Sequence, residues 1–171
     1  MMQIREEQAE DKPAIRLINE KAFGRPQEAN LVDQLHQSCG NLLSLVAVIE
    51  DRLVGHILFS PTTIESHGDV IQGMGLAPMA VLPEYQRLGV GSRLVQEGLR
   101  ILRSSSYPFV IVLGHPHYYP RFGFEPASRY GIRSQWEGIP DEAFMILILD
   151  EAIMHGVSGI ARYRSEFDES T

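Results

Sequence analysis

Residues 79–94 read Met79-Ala80-Val81-Leu82-Pro83-Glu84-Tyr85-Gln86-Arg87-Leu88-Gly89-Val90-Gly91-Ser92-Arg93-Leu94. An apolar strand runs into a tight glycine-containing turn, and the turn opens an amphipathic helix. Gln86, Gly89 and Gly91 form a Q-x-x-G-x-G pattern at the helix start. Such a turn aims several unpaired backbone N–H groups at one point, and the helix dipole adds partial positive charge there. The product is an anion site, most often for phosphate. The glycines let backbone approach a ligand with no Cβ in the way. Two common phosphate loops are excluded. A Walker loop needs Lys-Ser or Lys-Thr after its last glycine, and Gly91 is followed by Ser92-Arg93. A dinucleotide fingerprint needs a third glycine where this chain has Leu94.

Outward from the loop, Val70 to Val81 reads as the strand leading in, and Gly91 to Arg103 as the helix leading out, with Leu94, Val95, Leu99 and Leu102 on its core side. Pro78 cannot donate to a ladder, so it marks a break in that strand. Upstream, Gln3 to Glu6 reads as a first strand. Asp11 is placed to cap a helix carrying Pro13 in its first turn, with Ile15, Ile18 and Ala22 on one face. Gly24-Arg25-Pro26 ends it, and Ala29 to Gln37 is a second helix. Leu42 to Ile49 and Arg52 to Ser60 flank the two-residue turn Glu50-Asp51 as a hairpin, with Thr62 to Glu65 as an extension past Pro61. Downstream, Phe109 to Leu113 shows no alternation and reads as a buried strand. His115 to Phe122 is a short helix or irregular turn, Ala143 to Leu149 and Gly159 to Tyr163 are the last strands, and Ser165 to Thr171 is a polar, frayed tail.

A chain of 171 residues with 44% apolar content fits one globular domain spanning residues 1–171. Cys39 is the only cysteine, so no intramolecular disulfide forms; this points to a reducing, cytoplasmic home. No apolar run approaches the roughly 18 residues of a membrane span, and the acidic, polar opening is unlike a secretory leader. The net charge of −7 argues against nucleic acid and mildly favours a cationic partner such as an amine.

The 79–94 stretch resembles the acetyl-CoA-binding motif of the GNAT superfamily of N-acetyltransferases. A second segment, Tyr119-Pro120-Arg121-Phe122-Gly123-Phe124, resembles the Y-x-K/R-x-G-F run that many of them carry after strand five. The resemblance covers roughly residues 2 to 150. It implies an α/β (α+β) fold with a mixed, mostly antiparallel central sheet flanked by helices. It implies acetyl-CoA as co-substrate, its pyrophosphate held by Gln86, Arg87, Leu88, Gly89, Val90, Gly91 and Ser92. The pantetheine arm would pair with Met79, Ala80 and Val81. The implied activity is acetyl transfer to a primary amine, small molecule or peptide, by direct attack in a ternary complex. A non-catalytic acyl-CoA sensor and a nucleotide-binding protein are the alternatives, and a homodimer through the C-terminal strands is compatible with the chain.

In that chemistry the departing thiolate needs a proton, and the resemblance gives this role to Tyr119. The same ring also reads as an aromatic packed beside Phe122 and Phe124, and Tyr118 is one residue off the motif. Backbone amides around Ala80 and Val81 are candidates for the oxyanion. The general base departs from the clearer family members, because Val70 to Val81 contains no Asp, Glu or His. His56, Glu65, His115, His117 and, less so, Glu84 stand open, as does a water chain. His115 and His117 do not make a metal site without a third convergent ligand, so no metal is expected. Arg87 and Arg93 either attract phosphate or form a solvated helix face. Trp136 lines an acceptor pocket or simply packs.

Overall fold

The computed structural model describes residues 1–170, with the side chains of the last two of these left aside. The chain forms two compact units. The first contains Met1–Ser60, Ala77–Arg100 and the residues from Ser165; the second contains Pro61–Leu76 and Ile101–Arg164.

The first unit opens with β1 (Met2–Glu6), α1 (Lys12–Phe23) and α2 (Gln27–Ser38), followed by β2 (Leu43–Ile49). It then takes β3 (Arg52–Ser66) up to Ser60, β4 (Asp69–Val81) from Ala77, and the first turns of α3 (Val90–Ser104). The strand order is β1-β2-β3-β4, with β1–β2 and β2–β3 antiparallel. The hairpin turn falls on Glu50 and Asp51, both at positive φ (50° and 64°), as a tight turn between right-twisted strands requires. Helices cover both faces of these strands. A Cβ on Gly55 would stand 2.8 Å from Val90 and 3.1 Å from Leu94, so Gly55 faces α3. His56, the next residue, faces the other way and meets Asn19 of α1. Asp11 does not cap α1. It ends a 3-10 turn over Ala9–Asp11, where its carboxylate takes the Gln8 N–H (2.7 Å) and Arg5 (2.7 Å). Nor is the described part of the tail frayed, Thr171 lying outside the described residues. Ser165–Ser170 forms a 3-10 turn, Phe167 is buried, and Glu166 accepts a 2.5 Å hydrogen bond from Ser38 at the end of α2.

The second unit holds the rest of β3 and β4, then β5 (Phe109–Leu113), β6 (Glu125–Pro126), β7 (Ile132–Ser134), β8 (Phe144–Ile148), α4 (Glu151–Met154) and β9 (Gly159–Arg162). Its order is β3-β4-β5-β8-β6, with β9 added antiparallel to the far part of β3 and β7 added parallel to β9. β4–β5 is parallel, whereas β5–β8 and β6–β8 are antiparallel. The sheet is therefore mixed and mostly antiparallel, as expected. β3 runs through Pro61 to Ser66 as one strand, so Thr62 to Glu65 extend the hairpin arm as expected. β5 is buried through four of its five residues, which explains why it shows no alternation.

Candidate active site

In the first unit, the loop after β4 is built by local bonds. Leu82 N–H ends the strand on Val54 O at 2.9 Å, and a 3-10 turn follows over Pro83–Tyr85. The Gln86 side chain reaches back and donates to Val81 O at 3.0 Å, which ties the loop to the strand it leaves. Arg87 and Gly89 then take positive φ, 66° and 84°. That pair of left-handed residues turns the chain into α3. The first bond of the helix runs from Arg93 N–H to Gly89 O at 3.1 Å, which leaves the amides of Val90 and Gly91 outside the helical ladder. Gly89 has open space where a Cβ would lie, and Gln86, Arg87 and Leu88 are exposed. A chain of amides at a helix start, over open space, fits a phosphate group. Along β4, Met79 and Val81 are half-buried and Ala80 is buried between them. Ser92 is half-buried in the first turn of α3, and Arg93 is exposed beside it.

In the second unit, Tyr119 opens a 3-10 turn that ends at Gly123, whose φ of 100° explains the glycine of the motif. Tyr119 is buried. Its ring meets Tyr118 edge-on at 5.0 Å and Phe124 at 5.8 Å, and lies against Gly114, where a Cβ would come within 2.4 Å. Burial first, and Tyr118 second, push its phenol above the ordinary value, so at neutral pH it holds its proton. Tyr119 is thus both packed and a retained O–H donor. Tyr118 is half-buried with Arg121 stacked over its ring at 4.7 Å.

The base candidates separate clearly. His56 has no exposed surface. Asn19 Nδ2 donates to Ile15 O (3.0 Å) and meets His56 Nδ1 at 3.2 Å; His56 Nε2 meets Ser44 Oγ at 3.0 Å; Ser44 Oγ donates to Glu7 Oε1 at 2.5 Å. With Nδ1 facing a donor, the ring proton sits on Nε2 and His56 is neutral. Burial pushes it down to about 4. At the far end, His36 places Nδ1 on Val32 O (2.8 Å) and Nε2 on Glu7 (2.9 Å). Both its nitrogens face acceptors, and the Glu7 bond raises it above its ordinary value. Burial pulls Glu7 up, but bonds from His36 and Ser44 outweigh it and leave the carboxyl below its usual range. This chain of five residues is core chemistry, and His56 has no solvent path to an amine. Glu84 lies exposed 3.7 Å from Arg52, and Glu65 pairs with Arg162 at 2.7 Å. His115 and His117 are exposed. Cys39 ends α2 as its C-cap. Among the described residues, no three His, Cys, Asp or Glu side chains converge as metal ligands.

Tyr163, just past β9, was not singled out by sequence. It is buried, its N–H donates to Gln135 Oε1 at 2.7 Å, and Trp136 stacks on its ring at 5.4 Å and 22°. The one sequence signal was Gly75, a glycine inside a strand, which marks close approach of another group. Trp136 both packs on Tyr163 and borders a cavity of about 300 Å³ with Arg133, Glu137, Asp141 and Phe144.

A family model described as an acetyltransferase (GNAT) domain matches residues 3–127. The N-acetyltransferase YhbS of Escherichia coli is 35% identical over 168 residues, covering 98% of this chain and 99% of the relative. The crystal structure of YhbS from Escherichia coli in complex with CoA superposes with a TM-score of 0.91 at 34% identity, over 98% of this chain and 92% of that one. A GNAT family acetyltransferase from Brucella melitensis in complex with acetyl-CoA gives 0.79 at 32% identity, over 98% and 99%.

Proposed function

As a member of the GNAT acetyltransferase family, this chain, we propose, moves an acetyl group from acetyl-CoA to a primary amine by direct attack in a ternary complex. The observation that carries the reading is the loop at the start of α3, with two left-handed residues and helix-start amides over open space. The amides from Arg87 to Ser92 would hold the pyrophosphate, with Gln86 fixing the loop to Val81. Met79, Ala80 and Val81 would pair with the pantetheine arm, and the Ala80 and Val81 amides would face the oxyanion.

A free amine with a pKa of about 10.4 is mostly protonated at neutral pH, so it must lose a proton before it attacks. The new C–N bond then forms as the C–S bond breaks. The second amine proton leaves to solvent, and the thiolate takes the proton that Tyr119 retains. Burial of Tyr119 supports this role, because it keeps the phenol protonated and its O–H available to donate as negative charge develops on the sulfur. A base held inside the protein is not needed for this scheme, since proton loss through water supplies the neutral amine.

The test is calorimetric titration of acetyl-CoA into the wild type and Gly89→Trp, followed by turnover of an amine panel with the wild type and Tyr119→Phe. Micromolar binding lost in Gly89→Trp is the expected result. The Gly89→Asn variant, which tolerates positive φ, controls for strain in the turn. Absence of wild-type binding sinks the reading, and binding without turnover of any amine leaves the chain as an acyl-CoA sensor.

A further inference from the structure

The β4–β5 ladder has its last pair at Leu76–Val112. Beyond it, β5 stays bonded to β8 on its other side, Leu113 opposite Phe144 and Gly114 N–H on Ala143 O at 2.9 Å. Directly opposed residues of an antiparallel pair share a face at about 5 Å, so Leu113 and Phe144 stand together on one side of the sheet. Gly114, the next residue, faces the other way, and there Tyr119 lies over it. If Tyr119 serves the leaving thiolate, the face of Leu113 is the one left to the acceptor. Leu113 is 37% exposed, although the rest of β5 is buried. Phe144 in turn lines the cavity of about 300 Å³ that Trp136 borders. Two apolar side chains therefore join that cavity to the end of the ladder, all within the second unit.

The cavity combines an apolar floor with two acids. Ile132 and Phe144 are buried, Ile139 and Trp136 are half-buried, and the stack on Tyr163 holds the indole in place. Glu137 and Asp141, both exposed, supply the carboxylates. Ser128 Oγ donates to Asp141 Oδ2 at 2.8 Å and fixes that group. Glu137 has no hydrogen bond or ion pair among the described residues. Arg133 also borders the cavity, but it pairs with neither acid among the described residues. It is exposed beside buried Ile132, as alternation along β7 requires. A carboxylate against the reacting nitrogen would hinder transfer, because it would hold that nitrogen protonated. The end of the cavity nearest β5 carries Phe144 and Leu113 instead, which favour a neutral amine. The two acids suit a different group, one that keeps its positive charge. A cavity of about 300 Å³ is at the small end of ligand sites, so it takes a short alkyl chain whole.

We infer that this cavity is the acceptor site and that its occupant is an alkyl diamine or polyamine. The second, protonated nitrogen is held by Glu137 and Asp141. The methylene chain lies against Trp136, Ile139 and Phe144, and the neutral reacting nitrogen emerges past Leu113 at the end of β5. This rests on the acetyltransferase reading above. The second nitrogen positions the acceptor and gains or loses no bond. At the first nitrogen the C–N bond forms, the C–S bond breaks, the surplus amine proton goes to water and the thiolate proton comes from Tyr119. The net charge of −7 adds a general attraction for such a dication. A monoamine of the same chain length covers the apolar floor but leaves both carboxylates without a partner.

The experiment measures acetylation by the full chain of α,ω-diamines from propane to hexane and of the n-alkyl monoamines of matching length, with benzylamine and an alanine-initiated tripeptide alongside. The quantity read is the ratio of kcat/KM for the best diamine to that for its matched monoamine. Wild type should favour the diamine, and raised salt should shrink the preference. Glu137→Gln and Asp141→Asn should each lower the ratio about threefold to tenfold, chiefly through the diamine KM. Acetyl-CoA affinity should match wild type in both. Glu142→Gln removes the same charge from an exposed residue outside the cavity and should leave the ratio in place. Equal use of diamines and monoamines by wild type overturns the inference alone, as does turnover of benzylamine or the tripeptide with none of the diamines. A diamine preference that survives both Glu137→Gln and Asp141→Asn, or that falls equally in Glu142→Gln, also overturns it. No turnover of any amine overturns the acetyltransferase reading, and this inference with it.

Discussion

Replacing His56 with Gln should make the protein more resistant to acid. Glutamine can repeat the bonding, accepting from Asn19 and donating to Ser44, but it does not titrate. In the wild type, His56 takes a proton near 6.5 in the unfolded chain and near 4 in the folded one. The unfolded state therefore binds more protons between those values, and wild-type stability falls as pH drops through them. From about pH 7.5 to about pH 4.5 the loss works out at about 2–3 kcal/mol, at about 1.4 kcal/mol per pH unit. His36 and Glu7 also respond to acid, His36 adding stability on acidification and Glu7 losing it, but both remain in the variant. Comparing the two proteins thus isolates His56. Urea unfolding followed by circular dichroism at the two pH values should show a gap that widens by that amount at the acid end. A constant gap, or an NMR titration that puts His56 near 6.5 in the folded protein, would refute the argument that burial with Asn19 at Nδ1 keeps the ring neutral.

His36→Gln removes a group whose folded value is raised, so the stability it supplies is full below about pH 6.5 and fades as pH rises through the folded value. Thermal melts should show the variant weaker by about 1–2 kcal/mol near pH 6, with the gap closing toward pH 10. Gly159→Ala should cost about 3 kcal/mol or more, because φ is +131° and the new Cβ would sit 1.9 Å from Glu65 O, on the strand that β9 must pair with. A melting temperature within a degree of wild type would contradict that contact.

Elements set by local chemistry were legible in the sequence. The Glu50-Asp51 turn, the Gly24 helix end and the 86–91 loop each depend on backbone angles that neighbouring residues favour. The turn into α3 needed no knowledge of the remaining chain, because Arg87 and Gly89 set it locally; reading it as a cofactor loop also drew on the 119–124 segment. What depended on distant partners was not legible. β7 is three residues long and exists through β9. Asp11 was available as a cap, but Arg5 and the Gln8 amide engaged its carboxylate first. His56 stood open as a base because the sequence does not show what surrounds it; both faces of β3 are covered, and Asn19, Ser44 and Glu7, from three other parts of the chain, satisfy it. The packing of Tyr163 was hidden for the same reason, since its ring lies against Gly75 and its N–H donates to Gln135.

The seating of Phe167 has a consequence for biosynthesis. The first unit is assembled from three separate pieces of chain, and the last of them begins at Ser165. Ser38 at the end of α2 finds Glu166 only then. At elongation rates of about 5–20 residues per second, Ser60 leaves the ribosome on the order of ten seconds before Phe167 does. Through that interval the N-terminal helices and strands wait without the residues that close over them. The second unit, whose main block runs uninterrupted from Ile101 to Arg164, is all synthesised before the first can finish. Folding of the first unit is complete only once the chain has been made through Phe167, and ribosome-stalled chains ending before Ser165 should be markedly more open to protease in their first sixty residues than chains that include Phe167.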